Sequence, residues 1–283
     1  MTLTELNNQI ISALTPNLGA NEAKATARLL LEDDLGVTRE MLVLRGDRVL
    51  EPETVERYAR FIKQIEDGVP PQYLIGSAHF MGMDLKVTPA VLIPRPETAE
   101  LCDIIIDHAN EASDLHVADL GTGSGCIALA LGRGLVFPHI DAVDISADAL
   151  AVARENATKL GVDIDFIQED ILKGLPEPAA PYDIIVSNPP YIAEKEKAAM
   201  EPRVLDHEPA QALFVPDTDP LEFYRVIAQW AQKALKPDGT LYFEINPIYS
   251  DELQRLMSRL GFTADIVRDS FGKNRFAICR HAQ

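Results

Sequence analysis

The residues best suited to chemistry are Asn188-Pro189-Pro190-Tyr191, which follow an apolar run at 183–187. A planar amide is a weak nucleophile, because its nitrogen lone pair is delocalised into the carbonyl group. The side-chain oxygen of Asn188 and the main-chain carbonyl of Pro189 can accept hydrogen bonds from both N–H groups of such an amide, and Tyr191 can stack on its flat face. We therefore predict that Asn188, Pro189 and Tyr191 are catalytic, and that all four residues bind a planar group as it accepts a methyl group. A double proline that merely ends a strand would not need a polar and an aromatic neighbour.

A second feature is a glycine-rich loop that follows Asp119. Its spacing is G-x-G-x-G, and glycines at a strand-to-helix turn let the main chain approach a bound ligand. Asp144 ends the next apolar run about 20 residues later, where its carboxylate can accept hydrogen bonds from two ribose hydroxyls. A nicotinamide dinucleotide uses a similar loop and acid, so these features alone leave the cofactor open. The predicted cofactor-binding loop comprises Gly121, Thr122, Gly123, Ser124 and Gly125.

Asp170 provides a further polar group at the end of the following predicted strand. Its carboxylate can accept a hydrogen bond from the amino group of an adenine. It can equally cap the turn or helix that begins there. The two interpretations have equal weight at this point.

Composition excludes several classes of function. The hydrophobic fraction of 47% and the charged fraction of 25% indicate an ordered globular protein. The three cysteines and six histidines are scattered without metal-ligand spacing, so we predict neither a metal site nor a disulfide framework. A net charge of −18 repels phosphate backbones and favours a protein or small-molecule substrate. No apolar run reaches the roughly 18 residues of a membrane span, and no signal peptide is visible, so we predict a cytoplasmic protein without membrane contact.

Alternating strands and helices are predicted to position the motifs. Strand-like runs, interrupted by helical patterns at 147–160 and 221–235, lie at 116–120, 140–143, 164–168, 182–187 and 240–245. This alternation predicts an α/β, Rossmann-like domain with a mostly parallel sheet and helices on both faces. Two further runs, 263–267 and 275–279, predict an antiparallel C-terminal hairpin at the sheet edge.

Helical periodicity predicts a small helical bundle before this domain. The first helix is expected to end before Pro16, the second to run from Asn21 to Gly36, and the third to run from Pro52 to Gly68. The predicted domains are a helical bundle at 1–72, a linker with short strands at 73–95, and the Rossmann-like domain at 96–283.

Four segments together resemble the protein-(glutamine-N5) methyltransferases that modify peptide chain release factors. They are PQYLIG at 71–76, VLIPRPET at 91–98, the glycine loop at 121–125 and SNPPYI at 187–192. The IPRPET string discriminates best, because NPPY also occurs in enzymes that methylate DNA and RNA bases. The resemblance implies an S-adenosylmethionine-dependent methyltransferase fold, S-adenosylmethionine as cofactor, and a substrate glutamine in the Gly-Gly-Gln loop of a release factor held by the N-terminal bundle.

The resemblance also bears on Arg95, Ile171 and His79. Arg95 is expected to shape the entrance for cofactor and substrate, although a surface ion pair with Glu97, worth less than about 1 kcal/mol, is the alternative. Ile171 stands where an aromatic residue often contacts the adenine, which leaves the adenine contacts open. His79 precedes Phe80 where an acidic residue is common, and its role is also open.

Three alternative functions compete with this prediction. An N-methyltransferase acting on an exocyclic amine of an RNA or DNA base would use the same NPPY geometry, but the acidic charge and the IPRPET string count against it. A nicotinamide-dependent dehydrogenase is disfavoured by the glycine spacing, and a non-catalytic binding module by the complete set of motifs. The sequence does not decide which release factor is preferred, or whether a ribosomal-protein glutamine is the target. A monomer is expected.

Overall fold

The computed structural model describes residues 1–200 and 202–282, which divide into two compact units. The first unit comprises Met1–Ser77 with residues 202–207. The second comprises Ala78–Met200 with residues 208–282. The stretch 73–95, predicted as a linker, is therefore shared between the two units.

The helices and strands follow one another along the chain in these ranges. The helices are α1 Leu3–Leu18, α2 Ala20–Leu29, α3 Arg39–Arg45, α4 Pro52–Glu66, α5 Pro71–Ile75, α6 Pro96–Ala109, α7 Cys126–Gly134, α8 Ala147–Leu160, α9 Pro202–His207, α10 Ala210–Leu213, α11 Glu222–Ala234 and α12 Ser250–Arg259. The strands are β1 Ser77–Phe80, β2 Met83–Lys86, β3 His116–Leu120, β4 His139–Asp144, β5 Asp165–Gln168, β6 Tyr182–Ser187, β7 Ile192–Ala193, β8 Phe214–Val215, β9 Leu235–Glu244, β10 Phe262–Arg268 and β11 Asn274–His281. Among the described residues, no helix is long and apolar enough to cross a membrane.

The first unit is helical, as predicted, and its core is built from apolar residues at helical spacing. Leu6, Ile10 and Leu14 of α1 are buried with Tyr58 and Ile62 of α4. This recurrence places one face of each helix in the core.

The ends of these helices correct several expectations. Helix α1 continues past Pro16 to Leu18, because a proline in the last turn interrupts little of the helical ladder. Helix α2 begins at Ala20 after Gly19, so Asn21 lies inside it. A π-helical turn then covers residues 30–34. Helix α3 was not predicted, because it has no fully buried residue and therefore no apolar periodicity.

The second unit is built on a seven-stranded sheet in the order β10-β11-β9-β6-β3-β4-β5. Strands β5, β4, β3, β6 and β9 pair in parallel, and β9, β11 and β10 pair in antiparallel fashion. The mostly parallel sheet and the antiparallel C-terminal strands are confirmed. Strand β9 begins at Leu235 and not at residue 240.

Two apolar cores cover the two faces of this sheet. On β9, Leu241 and Phe243 belong to one core and Tyr242 to the other, as strand alternation requires. The first core contains the apolar faces of α11 and α12, and the second contains those of α6 and α7. Because β3, β4, β6 and β9 run in the same direction, the segments after Leu120, Asp144, Ser187 and Glu244 meet at one edge of the sheet.

Candidate active site

A cavity of about 400 Å³ lies at the carboxyl edge of the parallel strands. This volume falls within the range of small-molecule sites. The Ser187 hydroxyl donates to the Leu120 carbonyl oxygen over 2.6 Å, which joins the ends of β6 and β3 beneath the two motifs. The predicted site residues in its wall are Arg95, Gly121, Thr122, Gly123, Ser124, Asp144, Asp170, Ile171, Asn188, Pro189 and Pro190.

The glycine loop takes its shape from backbone conformations that favour glycine. The φ angles of Gly121, Gly123 and Gly125 are 81°, 55° and 82°. A Cβ atom at Gly125 would lie 3.2 Å from the Cβ atom of Ala153, so this glycine also permits close packing against α8. At the other two positions a Cβ atom would meet nothing within 4 Å. Since Gly121 and Gly123 line the cavity, their lack of side chains leaves the wall open to a ligand.

Main-chain N–H groups hold the Asp144 carboxylate in place in the cavity wall. Its Oδ2 accepts from the Gly123 N–H over 2.9 Å, and its Oδ1 accepts from the Ser146 N–H over 2.9 Å. Burial raises the pKa of this carboxyl above its usual value, while the main-chain hydrogen bonds oppose that rise. The residue therefore presents a preorganised carboxylate beside the glycine loop, and this arrangement fits a nucleoside ribose.

Asp119 supports the loop from beneath and was not predicted as a site residue. It is fully buried, and its Oδ2 accepts from the Thr122 hydroxyl over 2.6 Å and from the Ala128 N–H over 3.2 Å. Burial raises the pKa of Asp119 to about 7. Its position in the Asp-Leu-Gly-Thr-Gly string was the available signal, because an acid at the end of a buried strand needs donors from the next turn.

Asp170 and Ile171, for which the sequence left the adenine contacts open, both lie in the cavity wall. The Oδ1 of Asp170 accepts from the Leu172 N–H over 3.0 Å, so this carboxylate caps the turn after β5. Its Oδ2 lies 3.1 Å from Nζ of Lys173, so both oxygens of this carboxylate already have a partner within the protein. Ile171 is buried and packs in the core that contains α11.

The ion-pair partner of Arg95 is Glu208, a residue far away in the sequence. The Arg95 guanidinium donates to Oε1 of Glu208 over 2.6 Å, and not to Glu97. The Glu208 side chain is only 2% exposed, so its carboxylate is shielded from solvent, whereas the Arg95 side chain is 34% exposed. Glu208 precedes Pro209, Gln211 and Ala212 in the cavity wall, and the ion pair therefore fixes that wall against the start of α6.

The four residues of the NPPY motif separate into two groups. Asn188, Pro189 and Pro190 line the cavity, whereas Tyr191 is not among the residues that line it. The Tyr191 ring packs against the core that contains α11, and its hydroxyl donates to Oε1 of Glu244 over 3.1 Å. Burial raises the pKa of this phenol above its usual value. Stacking of Tyr191 on the substrate remains a prediction.

Thr98 and Glu244 were not assigned roles from the sequence. The Asn188 Nδ2 donates to Thr98 Oγ1 over 3.2 Å, and the Thr98 hydroxyl donates to Glu244 Oε2 over 2.7 Å. Glu244 ends β9 and is 2% exposed, and burial raises the pKa of its carboxyl. The available signal was a single acid that ends an apolar strand at the edge where ligands bind.

The described part of the cavity wall includes one thiol, that of Cys126. Burial raises the pKa of the Cys126 thiol to about 12, so this thiol is protonated at neutral pH. Within residues 1–200 and 202–282, no group of histidine, cysteine and acidic residues is arranged to hold a metal ion. The arrangement suits positioning of two reactants better than covalent catalysis.

The sheet order and the ligand loops define the class of the protein as an S-adenosylmethionine-dependent methyltransferase. Two solved structures share the fold: a ribosomal protein L11 methylase from Lactobacillus delbrueckii subsp. bulgaricus and a methyltransferase from Pyrococcus furiosus. The first has a TM-score of 0.51 at 21% identity and covers 70% of this chain and 86% of its own. The second has a TM-score of 0.52 at 16% identity and covers 81% of this chain and 98% of its own. At these identities the likeness concerns the fold alone.

The chain belongs to the release factor glutamine methyltransferase family. A relative with that name from Bacteroides thetaiotaomicron is 43% identical over 90% of this chain and 91% of its own. Another, from Deinococcus radiodurans, is 34% identical over 100% of this chain and 99% of its own. Residues 5–76 match the PrmC N-terminal domain family, and residues 100–212 match the methyltransferase small domain family.

Proposed function

We propose that this protein transfers the methyl group of S-adenosylmethionine to the side-chain amide nitrogen (N5) of the glutamine in the Gly-Gly-Gln loop of a peptide chain release factor. The observation that carries the proposal is the shared cavity. Its wall contains residues 121–124 of the glycine loop and Asp144 as well as Asn188 and Pro189. Cofactor-binding groups and amide-binding groups therefore adjoin one space, and family membership favours this substrate.

The residues of the cavity have complementary tasks in this proposal. The glycine loop and Asp144 bind the cofactor, which supplies an electrophilic methyl group when bound. Asp170 and Ile171 border the adenine. Asn188 Oδ1 and the Pro189 carbonyl oxygen accept hydrogen bonds from the two N–H groups of the glutamine amide. These contacts fix the nitrogen for in-line attack on the methyl carbon, so the rate depends mainly on orientation.

The decisive experiment is the intact mass of a purified release factor after incubation with the enzyme and S-adenosylmethionine. We expect a gain of one methyl group that fragment analysis assigns to the glutamine of Gly-Gly-Gln. A release factor with that glutamine replaced by alanine is the matched control and should gain none. Methylation of RNA or of a ribosomal protein, with the release factor unchanged, would contradict the proposal.

We propose that the first unit binds the body of the release factor. Support comes from its exposed apolar residues Val43, Leu44 and Val49, since such groups on a surface often mark a protein contact. Leu44 is 80% exposed. Phe137 of the second unit is similarly exposed, at 79%, and it precedes β4. It therefore lies near the amino ends of the parallel strands, away from the cavity. Leu44 and Phe137 therefore form a matched pair for substitution.

The test compares V43S/L44S with F137S on two substrates, an intact release factor and a short peptide that contains Gly-Gly-Gln. Loss of contact area should raise KM for the intact factor about tenfold in V43S/L44S, as expected for side chains at the centre of an interface. Activity on the peptide should not change in either variant. An equal KM for the intact factor in all three proteins would exclude this surface.

A further inference from the structure

A chain of hydrogen bonds extends from the cavity wall into the protein. It begins at Asn188, passes through Thr98 to the carboxylate of Glu244, and ends at the hydroxyl of Tyr191. Thr98 and Glu244 are each 2% exposed. Only Asn188 and Thr98 belong to the cavity wall. The chain therefore links a proposed substrate-binding amide to a carboxylate outside the cavity.

The donors and acceptors in this chain have a fixed order. An ionised carboxylate only accepts hydrogen bonds, so Thr98 must direct its single hydroxyl hydrogen at Glu244. The Thr98 oxygen then offers only lone pairs to Asn188. The Asn188 carboxamide must consequently direct its NH₂ group at Thr98. Its Oδ1 atom then lies on the opposite side of the Cβ–Cγ bond. Nothing within an isolated asparagine would favour this rotation over its reverse.

Resting on the proposed function, we infer that Thr98 and Glu244 are positioning residues that orient the Asn188 carboxamide so that Oδ1 accepts from the substrate amide. In the reverse rotation, Asn188 would direct its NH₂ group at the N–H groups of the glutamine. Donor would then face donor, and one of the two acceptors would be lost. Neither positioning residue needs to touch the reacting atoms.

The protonation state of the Glu244 carboxyl determines which groups donate and which accept along these hydrogen bonds. Burial raises its pKa, while hydrogen bonds from Thr98 and Tyr191 and the charge of Arg275 lower it. When the pH falls through this raised pKa, the carboxyl acquires a hydrogen and can donate to Thr98, which frees the Thr98 hydroxyl to donate to Asn188. The titratable and charged groups that act on Glu244 lie on α6, α7, α11 and β11 and in the segment that follows β6. They are Glu97, Cys102, Cys126, Tyr191, Tyr224 and Arg275.

The first experiment measures the rate of methyl transfer at saturating S-adenosylmethionine and release factor. Thr98→Val has nearly the same shape but breaks the chain, and we expect kcat to fall roughly tenfold to a hundredfold, the scale of lost orientation. Thr98→Ser restores the hydroxyl and should recover most of the rate. Cofactor affinity, measured by calorimetry, should differ little among the three proteins.

Tyr224→Phe is the matched control. The Tyr224 hydroxyl donates to the main-chain oxygen of Glu244 over 3.1 Å, so the variant removes a buried hydrogen bond to the same residue without touching its carboxylate. It should retain the parent kcat. If Thr98→Val also retains the parent kcat, the inference is overturned, while glutamine methylation by the parent still supports the proposed function.

The second experiment compares the pH dependence of kcat in the parent and in Glu244→Gln. A glutamine can still accept from Thr98 through its carbonyl oxygen, but it does not titrate. The parent should lose activity on the acid side, and the variant should not. If kcat falls equally at acid pH in both proteins, the inference is overturned. This outcome is decisive even where Thr98→Val does not fold. If the parent leaves the release factor unmethylated at every pH, the proposed function itself fails.

Discussion

In the cofactor half of the site, Gly121–Gly125 with Asp144, the hydrogen bonds join residues at most 32 positions apart in the sequence. In the acceptor half, Asn188–Tyr191, they join residues that are far apart. Asp144 binds the N–H groups of residues 21 and 2 positions away. Asn188 contacts a residue 90 positions away, and that residue contacts Glu244 across 146 positions. The cofactor half is thus shaped by local backbone geometry, and the acceptor half by the packing of distant elements.

This difference implies that the two halves respond to different kinds of damage. A change in the cofactor half should alter cofactor affinity and leave the geometry of the acceptor intact. A change in a distant contact of the acceptor half should lower kcat without altering cofactor affinity. The four variants below test whether the two effects separate in this way.

Asn188→Ala should have the largest effect, because it removes an acceptor that is required during transfer. We expect kcat to fall by about a hundredfold or more, the scale of a lost transition-state hydrogen-bonding group. The measurement is the single-turnover rate at saturating S-adenosylmethionine, which separates transfer from binding. A near-parent rate would remove Asn188 from the mechanism.

Asp144→Ala should weaken S-adenosylmethionine binding by about 1.5–3 kcal/mol, the scale of a hydrogen bond to a charged group. Titration calorimetry checks this value, and circular dichroism checks the fold. The parent should also bind less tightly as the pH falls through the raised pKa of Asp144, because the protonated carboxyl accepts fewer hydrogen bonds. This pH dependence should vanish in the variant, and its persistence would assign the effect to another group.

Asn246→Asp tests a second distant support of the acceptor half. The Asn246 Nδ2 donates to the Tyr191 carbonyl oxygen over 3.1 Å and to the Glu196 carboxylate over 3.1 and 3.2 Å. The aspartate keeps the cap on the Ile248 N–H but brings two carboxylates together. We expect kcat to fall about tenfold, since small displacements of positioning groups cost that much or more. Reduced cofactor affinity with an unchanged kcat would contradict the proposed separation between the cofactor half and the acceptor half.

Tyr191→Phe should have the smallest effect on the rate. The ring stays in place, and Thr98 still donates to Glu244, so kcat should change by less than about threefold. Unfolding free energy should fall by about 1.5–3 kcal/mol, because one buried hydrogen bond to a carboxylate is lost. A large fall in kcat with unchanged stability would instead indicate that the hydroxyl contacts the substrate.

The contrast between local and distant contacts also explains what the sequence could predict. The strand-loop-helix order at 116–134 and the acid at Asp144 carry their signals within short windows, so the α/β class, the sheet edge and the wall of the cavity followed from the sequence. The NPPY motif was equally visible as a string. The residues that orient it were not, because nothing near Thr98 in sequence indicates that Glu244 lies 2.7 Å away.

Other differences between prediction and structure have the same origin. The ion pair given as the alternative role of Arg95 was with Glu97, two positions away; the partner is Glu208, because the approach of the two segments is decided by tertiary packing. Helix α3 was not predicted, since an exposed helix has no apolar stripe and depends on its Thr38 cap. The contact of the Tyr191 ring with the core that contains α11 was not predicted either, because the direction of a side chain in an irregular loop depends on tertiary packing; its stacking on the substrate remains a prediction.

The position of β11 between β9 and β10 has a consequence for synthesis. Because translation is vectorial, β9 and β10 leave the ribosome before the strand that separates them. Until residues 274–281 are available, β9 has an unpaired edge on the side away from β6, and its terminal residue Glu244 lacks the neighbouring Phe276 of the ladder. The nascent domain therefore cannot complete its sheet progressively, and it depends on late insertion of an interior strand. A ribosome-bound chain that stops before residue 274 should be a strong substrate for chaperones and prone to aggregation.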